Sequence, residues 1–396
     1  MAPRALSAHG GQGTLHVAGK PQASLPGQPA PMPLEKPDFD LKTLRAAIPA
    51  QCFERSAVKS MMWLARDLVL IAIIGYAGTL IDTPYVPAWA RFIAWPLYWY
   101  LQGLVMTGVW VLAHECGHQA FSDSALLNDT VGWVLHSALL VPYFSWAISH
   151  GNHHKNTNSC EHDEVFNSPS RSKVGESVSD SPIAHLAGII GMLLFGWPLY
   201  LLFNVAGPPK YEGKRNSHFD AGAVLWLQKQ GFSVNLSTIG VLLGLAGLAY
   251  WSVTWGFLHM VKFYFVPYLI VNAHLVLITF LQHTDTYVPH YRGESFDWLQ
   301  GALCTVDRPF GAFVDHMLHH ITDTHVCHHV FSKMPFYHAT EATEAMKPVL
   351  GKYYLRDETP IWLATWNSAS RCKFVEDEGD VVWYQGPSAL SAKKAD

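Results

Sequence analysis

Three short histidine clusters, set between long apolar runs, constrain this chain more than any other feature. They are His114-Glu115-Cys116-Gly117-His118, His150-Gly151-Asn152-His153-His154 and His325-Val326-Cys327-His328-His329. On a helix, spacings of three and four residues bring side chains together on one face. Neutral imidazole is the commonest metal ligand. Eight of them exceed the need of one zinc ion, whose sites are almost always four-coordinate, so two metals are implied. Imidazole suits iron, copper, zinc and nickel alike, which leaves the metal open. A lone histidine is most often a satisfied core or surface residue; three clusters at helical spacing do not fit that reading.

The apolar runs then fix the topology. Six are long enough to meet a bilayer: 60–81, 92–113, 130–149, 183–207, 236–261 and 263–282. A spanning helix needs about 20 apolar residues. Charged residues make up 15% of the chain, against about 25% in soluble domains. Trp89, Trp95 and Trp99 flank the second run as an interfacial belt would, and Arg66 and Asp67 sit near one end of the first. Clusters that build one site must share one side of the membrane. The run 130–149 separates His118 from His150, so it lies in the interface or re-enters. Three runs separate His154 from His283, so an even number cross, and 183–207, with Gly196 and Pro198, is the one assigned to the interface. The expected fold is an all-α integral membrane protein: four transmembrane helices in two hairpins, interfacial helices, and a helical cap carrying the histidines. Lys42, Arg45, Arg55 and Lys59 precede the first span, which places the N-terminus and the cap in the cytosol by the positive-inside bias.

Residues 1–39 are rich in Gly, Ala and Pro and read as a disordered tail. They contain no apolar stretch of the secretory kind, and the absence of acidic residues before Glu35 leaves a transit peptide open, though Ser and Arg are few. Residues 40–385 form the membrane domain and 386–396 a C-terminal tail. The six cysteines show no C-x-x-C spacing, so neither a disulfide framework nor a cysteine zinc knuckle is indicated. A net charge of -4 gives no nucleic-acid footprint. Two rival readings come from other classes. The first cluster is also H-E-x-x-H, the pattern of a zinc protease with His114 and His118 as ligands and Glu115 as general base; it leaves the other two clusters unexplained. A transporter or receptor with a histidine pH switch explains neither spacing nor repetition.

Longer stretches carry a family resemblance: TGVWVLAHECGHQAF (107–121), FLQHTDTYVPHYR (280–292), GALCTVDRPFG (301–311) and DTHVCHHVFSKMPFYHA (323–339). With the three boxes at this spacing, the chain resembles the membrane fatty acyl desaturases over roughly residues 33–385, most closely the microsomal acyl-lipid delta-12 (oleate) group. The resemblance implies a cytosolic centre of two non-haem Fe ions with O2 as co-substrate, held by His114, His118, His150, His153, His154, His325, His328 and His329. It implies a ninth ligand at the end of the last span, for which His283 is the candidate. The implied reaction is oleate to linoleate on a phospholipid-bound chain. An omega-3 (delta-15) or bifunctional desaturase, or a related hydroxylase or epoxygenase, stays open. No His-Pro-Gly-Gly haem motif is present, so a separate cytochrome b5 and its reductase are the implied electron source. Lys393-Lys394 resembles an endoplasmic-reticulum retrieval signal on a cytosolic tail.

Around the boxes, Glu115 and Asp323 are expected to accept N–H bonds from ligand imidazoles. His319 and His320 read as supporting or surface groups, His136, His185, His259 and His274 as core or interface residues, and His290 as a residue near the surface. Two departures stand out. Gly151 and Ala147 occupy positions that are usually or often basic in relatives, which puts contacts to a headgroup or an electron donor in doubt while sparing the ligands.

Overall fold

A computed structural model describes residues 15–174 and 180–389. Helices α1 (Leu41–Ala47), α2 (Ala57–Leu80), α3 (Ala88–Gly117), α4 (Ala125–Ala138) and α5 (Tyr143–Asn156) build the first half. The short α6 (Arg171–Val174), then α7 (Pro182–Phe203), α8 (Gly231–Trp255), α9 (Phe257–Met260) and α10 (Val266–His283) follow. A π turn over Val261–Phe265 joins α9 to α10. Side chains start several helices by accepting from a backbone N–H of the first turn: Asp40 for α1, Ser56 for α2 and Ser124 for α4, the usual role of Ser and Asp at an N-cap.

By length and apolarity alone, three stretches qualify as spans: 182–203, 228–255 and 257–283. Packing sorts them. Both ends of α7 rest on the cap: the His185 ring lies 5.8 Å from that of Trp366, and the Asn167 N–H donates to the Ala206 carbonyl at 3.0 Å. Cap contacts at both ends are what the even-crossing rule expects of this helix. The stretch 130–149 breaks into α4 and α5, bent by 106°, with Leu140 at φ +57° in the turn, a shape that suits the expected re-entrant segment.

α8 and α10 form one hairpin, and α2 and α3, which fall outside that length-and-apolarity test, form another. Their far ends are tied where Lys262 Nζ meets Asp82 at 2.5 Å and Trp99 Nε1 donates to the Lys262 carbonyl at 3.0 Å. Glycine lets α3 come close to its neighbours. A Cβ at Gly103 would sit 2.7 Å from the Pro267 carbonyl oxygen, and one at Gly108 2.5 Å from that of Met317. The Arg66–Asp67 pair is not an interfacial ornament. Asp67 is fully buried, held by Arg66 at 2.7 Å and by His319 Nε2 at 2.7 Å, so it ties α2 to the cap.

The cap adds α11 (Trp298–Leu303), α12 (Ala312–Met317), α13 (His325–Val330), α14 (Ala339–Leu350) and α15 (Ile361–Arg371), with two small sheets that the sequence reading did not foresee. One joins β1 (Val17–Ala18), β5 (Val381–Trp383) and β2 (Pro289–Tyr291) in that order; the other pairs β3 (Val306–Asp307) with β4 (Leu355–Arg356).

The described part of the N-terminal tail departs from expectation. Residues 15–39 are laid on the cap rather than loose: β1 pairs with β5 in parallel, Gln22 donates to the carbonyls of Arg371 and Tyr384, and Met32 is buried with its N–H on the Tyr287 carbonyl. The segment makes no core of its own. It satisfies backbone groups of strands made elsewhere, which composition does not reveal. Lys393 and Lys394 lie outside the described residues.

Candidate metal centre

Each histidine box closes on a helix end that points at one spot. His114 and His118 end α3, His150, His153 and His154 end α5, and His325, His328 and His329 lie on α13. His283 is the last residue of α10. The nine histidines meet as two groups. His114, His118, His150, His154 and His328 each bring one ring nitrogen within 4.8 Å of all the others, as do His153, His283 and His329. His325 joins the second, its Nε2 3.3 Å from His283 Nε2.

Boxes two and three thus feed both groups, where spacing suggested one shared face. Consecutive helical residues differ by about 100° around the axis. His150 and His154 therefore face one group while His153 turns to the other, and the neighbours His328 and His329 divide in the same way.

Hydrogen bonds on the outer side of the rings set which nitrogen looks inward. Glu115 Oε1 lies 3.2 Å from His114 Nδ1, Asp163 Oδ1 2.6 Å from His153 Nδ1, and the Ile321 carbonyl 3.0 Å from His325 Nδ1. Thr157 Oγ1 donates to the His153 carbonyl at 2.9 Å, so it accepts from His329 Nδ1 at 3.2 Å. Acceptors on Nδ1 leave Nε2 with its lone pair facing the centre. Those lone pairs crowd: His114 and His150 approach to 3.0 Å, His150 and His154 to 3.1 Å, and His153 and His283 to 3.3 Å. The Nε2 atoms of His118, His328 and His329 are buried with no protein partner. Burial lowers the His118 and His325 pKa values to about 3 and holds His328 and His329 well below the ordinary range, so these rings are neutral ligands at neutral pH. Convergent neutral lone pairs in a dry pocket are what two cations would bind.

Glu115 does not suit a protease. It is buried, and its second oxygen accepts from the Phe336 N–H at 3.2 Å, on the side of His114 away from the centre. Asp323 does not take the expected role either; it meets His320 Nδ1 at 3.2 Å. Asp163 and Thr157 take it instead, from a loop and a helix cap whose spacing gives no signal. His290 is not near the surface: it is buried in β2, its ring 4.8 Å from that of Tyr384, and burial lowers its pKa to about 4. His136, His185 and His274 are buried as expected. At Gly151 a Cβ would meet nothing within 4 Å, so the missing basic side chain leaves the ligands undisturbed.

Asp163 supplies a direct test. Its Oδ2 also accepts from the Asn158 N–H at 2.7 Å, which fixes the carboxylate that fixes His153. Loss of such a partner costs about 10–100-fold in metal affinity, so Asp163→Ala should lose that much in a chelator competition. Asp163→Asn, which keeps an acceptor oxygen, should fall between. Unchanged affinity in the alanine variant would remove Asp163 from the site.

An apolar cavity of about 300 Å³ reaches the first group at His150. Trp146 forms its wall there, stacked on the His150 ring at 4.5 Å and 20°. Trp110, Trp197, Met192 and Val276 line the rest. A second cavity of about 360 Å³ shares Phe166, Met192, Val205 and Ala206 with the first and reaches Lys373 and Tyr384. Dry apolar walls beside a cluster of metal-binding groups suit a long hydrocarbon substrate.

Comparison with known proteins agrees with this geometry. The family described as fatty acid desaturase matches residues 93–359. A delta(12) fatty acid desaturase of Mortierella alpina is 48% identical over 367 residues, which cover 88% of this chain and 91% of that protein. A delta(12)-fatty-acid desaturase of Arabidopsis thaliana is 46% identical over 361 residues, covering 89% and 93%. A protein of Brassica juncea named as an endoplasmic-reticulum omega-6 fatty acid desaturase is 44% identical over 383 residues, covering 95% and 99%.

Proposed function

The chain belongs to the fatty acid desaturase family, and from that premise we propose that it converts a phospholipid-bound oleoyl chain to linoleoyl by a cis double bond at the delta-12 position. The observation that carries this is the meeting of two histidine groups with an apolar cavity that opens at His150. The proposed ligands are the eight box histidines and His283, and the proposed metals are two irons, which when bound would supply the oxidising power to break an unactivated C–H bond with O2.

The chain's own residues do the rest. Trp110, Trp146, Met192 and Trp197 hold the acyl chain and exclude water. Glu115, Asp163, Thr157 and the Ile321 carbonyl hold ligand protons on Nδ1 and keep the rings aimed inward. Per turnover the chain gives up two hydrogens, O2 takes up these, two electrons and two protons, and two waters leave. The electrons come in two single steps from cytochrome b5, itself reduced by its reductase. The cap and both termini face the cytosol, and the membrane is that of the endoplasmic reticulum.

Two measurements test the reading. Expression in a yeast that makes only monounsaturated acids should yield linoleate, with the new bond located by mass spectrometry. The purified protein should hold about two irons per chain, as the two ligand groups require, and little zinc. One stoichiometric zinc with no iron and no new fatty acid would overturn it.

A further inference from the structure

We propose that a cationic pocket of about 370 Å³ at the junction of α1, α2 and the third histidine box is the docking point of the electron carrier, an acidic one-electron haem protein. The proposal rests on the desaturase reading, which requires such a donor. The pocket is lined by Arg45, Arg55 and Lys333 and by no carboxylate, and Phe53 and Phe331 meet edge-to-face within it at 5.4 Å. Arg45 and Lys333 are exposed and have no ion-pair partner among the described residues. Arg45 is instead held flat over the Phe53 ring at 3.8 Å. Other exposed cations are either paired, as in Lys173–Glu212, Arg215–Asp220 and Lys352–Glu35, or, like Lys155 and Lys214, lie outside this pocket, while Lys42 and Lys59 add unpaired charge on α1 and α2 close by in sequence. Arg55 is paired with Asp123 at 2.7 Å, which leaves two free cations in the pocket. A chain of net charge -4 repels an acidic partner overall, so a pocket that keeps free cations decides where that partner lands.

The pocket also lies against the metal centre. Phe331 follows His329 by two residues, so its Cα is within about 7 Å of that ligand's Cα. Arg55 donates to the carbonyl of Gln119 at 2.9 Å, the residue after His118. One pocket therefore touches the ends of two histidine boxes, and an electron entering there has only a short stretch of protein to cross. Aromatic and arginine anchors in one pocket are also what binding hot spots are made of.

The test uses the full chain in nanodiscs of phosphatidylcholine alone and the soluble haem domain of cytochrome b5. Stopped-flow absorbance follows reoxidation of the reduced haem by the iron-loaded protein, and titration follows binding of the oxidised haem domain to the metal-free protein. In Arg45→Glu/Lys333→Glu, both the second-order rate and the affinity should fall at least tenfold, and the wild-type rate should fall as salt rises. Iron content and reduction by dithionite should match the wild type. An unchanged rate and affinity would overturn the proposal, as would an effect seen only when anionic lipid is added, which would make this a lipid-phosphate site. A wild-type protein that neither holds iron nor reoxidises the donor would instead sink the desaturase reading.

Discussion

His283→Ala is expected to abolish linoleate formation and to lower bound iron, with the protein still present in the membrane. His283 is buried at the end of α10, its Nε2 3.3 Å from those of both His153 and His325. The first group has five histidines, but the second has only His153, His283 and His329 within mutual reach, so its loss leaves that group short. Loss of a supporting partner alone costs about 10–100-fold in metal affinity, and loss of a ligand should cost at least that. The control is His162→Ala, an exposed position beside Asp163, which should keep activity and iron. Full iron and full activity in His283→Ala would reduce the ligand set to the eight box histidines.

Arg308→Met should destabilise the fold by about 3–5 kcal/mol, the cost of breaking a buried ion pair from one side. The Arg308 side chain has no exposure and reaches Asp285 at 3.0 Å and Asp357 at 3.1 Å, with the Tyr287 hydroxyl at 2.8 Å. Methionine fills similar space but leaves two carboxylates buried without a cation. Thermal melting of the metal-free protein should show the loss. Adding Asp285→Asn and Asp357→Asn should restore much of it, because the uncompensated charges then vanish. A single variant that melts with the wild type would show that the carboxylates find water or protons instead. Since Asp285 follows His283 by two residues, the network also fixes the exit of α10 from the centre.

Much of this was legible from residue order because ligand chemistry and the bilayer both act on short, regular spacings. Box helices and apolar runs carry their own periodicity, and the rule that the boxes share one side argues against 130–149 and 183–207 as spans. The assignment of His283 rested on the family resemblance together with its place at the end of the last apolar run, and the structure sets it beside His153 and His325. What escaped depends on contacts distant in sequence. Asp163 reaches His153 from an irregular loop, and His319 hydrogen-bonds Asp67 across 252 residues. Residues 15–39 gain order from partners distant in sequence, among them strand β5 and the carbonyls of Tyr287 and Arg371.

That pairing of Val17–Ala18 with Val381–Val382 sets an order of assembly during synthesis. About 210 residues separate His118 from His329, and at about 5–20 residues per second the ribosome needs roughly 10–40 s to make them. Throughout that interval both groups lack their third-box histidines. The hairpins can enter the bilayer as they emerge, but the opening segment finds its strand partner only when residues near 382 have been made. Complete metal loading therefore waits for the third box, and a nascent protein stalled before it is one that cannot keep its metals.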